Sequence, residues 1–100
     1  MEKLKIVWSN IAVETLDEIL NFYSERNKSD IYSKKLYSKI ISDVKLLARV
    51  PLIGLLTRIK NVRGLIVEDF IIYYEIKGKE VFILTIWDCS QNPEENKFVD

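Results

Sequence analysis

The chain has 100 residues, 48% of them apolar, with fifteen basic and fifteen acidic side chains that cancel and no histidine. This is one domain's worth of chain, with enough apolar material for a core without metal or disulfides, and its neutral balance excludes a global electrostatic pull towards nucleic acid or an anionic membrane. The missing histidine removes Ser-His-Asp and Cys-His catalysis, a histidine general base and the common zinc sites, so any chemistry falls to Arg, Lys, Tyr, Asp or Glu; no cofactor is expected, and a metal could be held only by carboxylates, of which Glu14, Asp17 and Glu18 alone cluster at helical spacing.

The opening MEKLKIVWSN lacks the long apolar run and the small-residue cleavage site of a signal peptide. Within it, Leu4 to Trp8 is short, apolar and β-prone, and is predicted as a first strand. Ser9-Asn10 then offers N-cap chemistry, with Glu14 expected in the first helical turn. Ala12, Leu16, Ile19, Leu20 and Tyr23 follow on one helical face, and the polar stretch SERNKSD reads as the turn after it. Ser29 or Asp30 can cap a second helix, whose stripe is Leu36, Ile40, Val44 and Leu47, with Tyr37, Ile41 and Ala48 beside it. Val50-Pro51 stops that helix, because a residue before proline avoids the α region. Two helices joined so closely predict an antiparallel hairpin that must cover something apolar.

The second half supplies that surface. A loop leads into a strand from Gly64 to Val67, then a Glu68-Asp69 turn, a strand from Phe70 to Ile76, a Lys77-Gly78-Lys79 turn and a strand from Glu80 to Trp87, forming a meander. Strict alternation puts Phe70, Ile72, Tyr74 and Ile76 on one face and Ile71, Tyr73 and Glu75 on the other. In the last strand it groups Val81, Ile83, Thr85 and Trp87 against Phe82, Leu84, Ile86 and Asp88. Both faces are largely apolar. One packs on the helices; the other calls for a partner or a groove, and predicts that the lone chain self-associates. No run of about 18 apolar residues exists to span a membrane, and the single Cys89 permits no internal disulfide; the chain fits a reducing cytoplasm.

Specific residues join this order of elements. The second helix and its loop read L-x-x-x-P-x-x-G (Leu47, Pro51, Gly54), followed by R-x-L (Arg63, Leu65), F-x-I-x-Y-x-I (Phe70 to Ile76), V-x-I-L-x-I (Val81 to Ile86) and an ending W-D-C-S-Q-N-P. Together, over nearly the whole chain, these resemble the RelE/ParE superfamily of toxins from bacterial toxin–antitoxin modules. The ending Asp88-Cys89-Ser90-Gln91-Asn92-Pro93 looks like the family's D-T-R-x-N-P terminus. The resemblance implies an α+β fold: an N-terminal strand and an antiparallel two-helix hairpin packed on one face of a small, twisted, mainly antiparallel sheet that ends in a three-strand meander. It implies a cognate antitoxin as partner, covering the second apolar face.

The superfamily divides by mechanism. RelE-like members cut mRNA on the ribosome with lysines and arginines; in that case Arg63 would stabilise the scissile phosphate and Arg58 and Lys60 would orient the RNA. ParE-like members bind DNA gyrase and need no phosphoryl chemistry. Ser90 stands where the resemblance places an arginine, and removing one cation from a site that stabilises a phosphorane-like transition state costs several kcal/mol. With the neutral net charge, this leans to the ParE-like reading, with the RelE-like endoribonuclease as the alternative. Residues implied for partner binding are Tyr73, Tyr74, Trp87, Asp88, Gln91 and Asn92.

Each candidate also has a plainer reading. Arg58, Lys60 and Arg63 could be a solvated loop, Tyr73 and Tyr74 ordinary strand aromatics, and Trp87 and Asp88 a tryptophan packed on the helices beside a turn-capping carboxylate. Cys89 has no base to activate it and reads as structural. Glu14, Asp17 and Glu18 cluster on the first helix as solvated surface.

Overall fold

The structure, a computed structural model, describes residues 3–90 and 93–98. Strand β1 (Lys5–Trp8) leads into helix α1 (Asn10–Asn27), which turns back into α2 (Ile31–Leu46). A 3₁₀ turn at Pro51–Ile53 precedes the short β2 (Leu55–Leu56), then β3 (Val62–Val67), β4 (Phe70–Lys77) and β5 (Glu80–Asp88), and a last 3₁₀ turn spans Pro93–Glu95. The strand order is β1-β5-β4-β3-β2. Only β1 with β5 is parallel; the other pairs are antiparallel. This is the α+β architecture expected, with one addition: Leu55–Leu56 pairs with Arg63 and Gly64 as an edge strand too short for any sequence period to reveal.

Ser9 caps α1, its Oγ accepting from the Ala12 N–H at 3.0 Å. Glu14 lies beyond the first turn, which carries no acid. The helix also outlasts its apolar stripe, absorbing Ser24 to Asn27 before Lys28 ends it in the left-handed region at φ 50°. At α2 it is the Ser29 hydroxyl that accepts the Ile31 N–H, while Asp30 makes no side-chain cap bond. Ser33 ties the hairpin: its Oγ donates to the Leu20 carbonyl and lies 2.8 Å from the Ser24 Oγ.

Helix residues Ala12, Leu16, Leu36, Ile40 and Val44 pack on Phe70, Ile72 and Tyr74 of β4 and on Val81, Ile83 and Ile86 of β5. The alternation predicted for β4 holds. That predicted for β5 does not, because a β-bulge interrupts it: Tyr74 pairs with Ile83 and Tyr73 with Thr85, leaving Leu84 as an extra residue. From there on the faces exchange. Ile86 enters the helix-side core, while Trp87 joins Leu84 on the opposite face. Ser9 steadies the bulge, its hydroxyl donating to the Leu84 carbonyl at 2.8 Å, so one side chain both starts α1 and satisfies a carbonyl of the irregular strand.

Candidate binding face

Arg63 and Tyr74 are direct cross-strand partners on β3 and β4. Arg63 Nη1 donates to the carbonyls of Leu52 at 3.2 Å and Gly54 at 2.9 Å. The Tyr74 hydroxyl donates to the Pro51 carbonyl at 2.6 Å and accepts the Gly54 N–H at 2.9 Å. Tyr74 is fully buried. Burial pushes its hydroxyl above the ordinary tyrosine pKa, against the smaller opposing effects of the Gly54 hydrogen bond and the Arg63 charge. Gly54 is required by this approach: a Cβ there would stand 2.5 Å from the Tyr74 Oη.

The three cations do not form one cluster. Lys60 and Arg63 line a shallow recess of about 420 Å³ with Leu52, Leu56 and Asn61. Arg58 is held elsewhere, by the end of the chain. Its backbone N–H donates to the Phe98 carbonyl at 3.2 Å, and its Nε donates to the Lys97 carbonyl.

That chain end alters the second sheet face. Residues 93–98 fold back onto it, and Phe98 packs on Val62 and Tyr73 with Ile59, Ile71, Leu84 and Trp87 around them. The Phe98 and Tyr73 rings stack at 4.1 Å with 20° between their planes. Asn96 Nδ2 donates to the Tyr73 hydroxyl at 2.8 Å, and Asn96 Oδ1 accepts the Phe98 N–H. Tyr73, one of the residues implied for partner binding, is therefore covered by its own chain and only 2% exposed. The missed residues are Asn96 and Phe98. The signal was an aromatic side chain in an otherwise charged tail.

A family model described as the ParE toxin of the type II toxin–antitoxin system, parDE, matches residues 6–93. The chain belongs to the ParE toxin family. A solved structure of the chromosomal ParDE toxin–antitoxin system from P. aeruginosa is similar, with a TM-score of 0.74 and 28% identity, covering 86% of this chain and 96% of that one. No curated protein matches at a significant level.

In this ParE family member the end of β5 is a compact turn. Asp88 Oδ1 accepts from both the backbone N–H and the hydroxyl of Ser90, at 2.9 and 2.8 Å. The carboxylate caps the turn, as its plainer reading had it, whereas Trp87 packs on the second face and not on the helices. Gln91 and Asn92 lie outside the described residues. Cys89 is exposed, yet its thiol pKa is raised, by desolvation first and then by the Asp88 and Asp69 carboxylates. Glu14, Asp17 and Glu18 are all exposed on α1. Among the described residues no group of three or more acids or cysteines could hold a metal ion, and no helix is long and apolar enough to cross a membrane.

The sheet edge of the ParE fold carries a further apolar surface. Leu52, Ile53, Leu55 and Leu56 are exposed around β2, Leu56 at 79%. They border the loop that Arg63 and Tyr74 hold.

Proposed function

We propose that this chain is the toxin of a type II toxin–antitoxin module, acting in the cytoplasm. It inhibits growth by binding an essential target, DNA gyrase, and a cognate antitoxin neutralises it. The observation that carries the binding reading is the state of the arginines. Arg63 donates to two main-chain carbonyls of the loop before β2 and the Arg58 side chain to a third, that of Lys97. Guanidinium groups engaged in this way, with Ser90 in place of a further cation, leave little to stabilise a pentavalent phosphate. Trp87 and Asp88 then belong to the face that meets a partner, with Gln91 and Asn92 following them in the chain. Tyr73 contributes from beneath the folded-back chain end, and Tyr74 only by supporting the loop.

The endoribonuclease reading keeps one specific support. Lys60 and Arg63 share a recess, where two cations could meet a phosphate. One experiment separates the two. The chain is induced in a bacterial host, transcript 5′ ends are mapped, and the purified protein is added to a gyrase supercoiling assay. Growth arrest with intact transcripts and blocked supercoiling is expected. Arrest with codon-phased cuts that vanish in Lys60→Ala makes the chain a ribosome-dependent endoribonuclease instead.

A further inference from the structure

Ser42, Lys45, Leu46 and Arg49 recur at helical spacing, so they share one flank of α2 and of the turn that continues it. The buried stripe of Leu36, Ile40, Val44 and Leu47 is a different one. The fold sets this flank beside the start of β1, where the Leu4 N–H donates to the Ala48 carbonyl at 2.8 Å. Between the end of α2 and the free edge of β1 lies a recess of about 380 Å³. Lys3 and Ile6 line it from the side of β1, and Ser42, Lys45, Leu46 and Arg49 from the helix.

The charge of this recess is one-sided. Three cations line it and no acid does. The acids of the neighbouring segments are engaged or turned away. Asp43 pairs with Lys39 at 3.1 Å. Glu80 is the register partner of Lys5, and so lies on the sheet face opposite Ile6. Among the described residues, neither Lys3, Lys45 nor Arg49 makes an ion pair or a side-chain hydrogen bond. Cations at a helix C-terminus ordinarily answer its exposed carbonyls. Here the main chain already does so: the carbonyls of Val44, Lys45 and Leu46 accept the N–H groups of residues 47–50. Lys3, moreover, arrives from another part of the chain. The Ile6 N–H lies on the same outer edge as that of Leu4, because the intervening Lys5 N–H turns inward to the Lys79 carbonyl.

We propose that this recess binds a small organic phosphate of nucleotide type. Arg49 offers its phosphate a planar fork, Lys45 and Lys3 two point charges, and Ser42 a hydroxyl. Ile6 and Leu46 give the ligand's organic part an apolar wall. The volume lies within the range of small-molecule sites, about 300–1,000 Å³, and a cleft lined by one sign of charge concentrates the opposite ion. A nucleic-acid backbone fits less well, because the chain carries no net charge to draw a long polyanion over the rest of its surface. This site goes beyond the toxin reading and does not depend on which target the chain acts on.

The test is titration calorimetry on the full-length protein at fixed ionic strength, with ADP, inorganic phosphate and a short DNA duplex as probes. ADP is expected to bind, and inorganic phosphate to bind more weakly because it leaves the apolar wall unused. Arg49→Ala and Lys45→Ala are each expected to weaken ADP at least about tenfold, the loss of one charge-assisted hydrogen bond. Both side chains are exposed, so the urea midpoints should stay at the wild-type value. Lys35→Ala removes an exposed lysine of α2 outside the recess, and is expected to leave the affinity unchanged. No binding of ADP to the wild type overturns the site. So does an equal loss in Lys35→Ala, which would mean attraction to charge alone. Equal affinity for ADP and inorganic phosphate overturns the organic part of the ligand. Binding of the duplex without ADP overturns the proposal in favour of a nucleic-acid contact.

Discussion

Arg63 and Tyr74 face each other across β3 and β4 and grip the same four-residue loop, one through two of its carbonyls and the other through a carbonyl and an N–H. A motif arginine and a motif tyrosine thus act first on the shape of residues 51–54. The same loop carries the apolar edge, so its position decides what that edge presents.

Tyr74→Phe is expected to destabilise the protein by about 1–3 kcal/mol, because the Gly54 N–H and the Pro51 carbonyl lose a buried partner. Gly54→Ala, which places a methyl group against the same hydroxyl, is expected to cost at least as much. Urea unfolding checks both, and a wild-type midpoint for either variant removes this account of the loop.

Arg63→Ala is expected to loosen the loop before it affects any chemistry. Loss of growth arrest in that variant reports on catalysis only if the folded protein keeps its midpoint. Arg63→Lys retains charge but cannot reproduce the guanidinium geometry. A lysine variant that restores full stability argues that charge alone holds the loop.

Ser9→Ala removes both the α1 cap and the donor to the bulge carbonyl of Leu84. About 1–2 kcal/mol of destabilisation is expected. Hydrogen exchange should locate it, with faster exchange at Ala12 in α1 and along the middle of β5. A loss confined to the helix would show that the bulge does not need the serine.

The Cys89 thiol, desolvated and close to the Asp88 and Asp69 carboxylates, has a raised pKa. Less of it is thiolate at neutral pH than in a free cysteine, so alkylation by iodoacetamide is expected to be slower there despite its exposure. The rate should climb with pH and reach its half-maximum above that of a free thiol. Asp88→Asn removes one of the charges and is expected to move the profile back towards the free value.

The edge around β2 is expected to drive association of the lone protein at high concentration. A lysine at Leu56, the most exposed of the group, should shift the light-scattering mass towards monomer. A wild-type protein that stays monomeric throughout excludes the edge as the sticky surface.

Much of this was legible in the chain. The stripe Leu36, Ile40, Val44 and Leu47 gave the buried side of α2 and its neighbouring turn, and Phe70 to Ile76 gave both faces of β4. What escaped was set by tertiary pairing. No feature of VFILTIWD announces that Leu84 will be the extra residue, because a bulge belongs to two strands at once. The same error placed Trp87 on the wrong face and Ile86 out of the core. Arg63 showed as a cation, but the carbonyls around it come from a loop nine to eleven residues earlier. Phe98 was visible, yet its charged neighbours suggested solvent, and only the fold shows the seat on Tyr73.

The sheet order carries a consequence for synthesis. β5 is the last strand made, and it lies between β1, the first, and β4. Ser9 finds its acceptor at Leu84, 75 residues later. Until the final quarter of the chain has left the ribosome, β1 has no partner and the helical hairpin lacks half of the surface it covers. A prematurely terminated chain therefore cannot assemble either face of the sheet. Whatever this protein does begins only after β5 has been made.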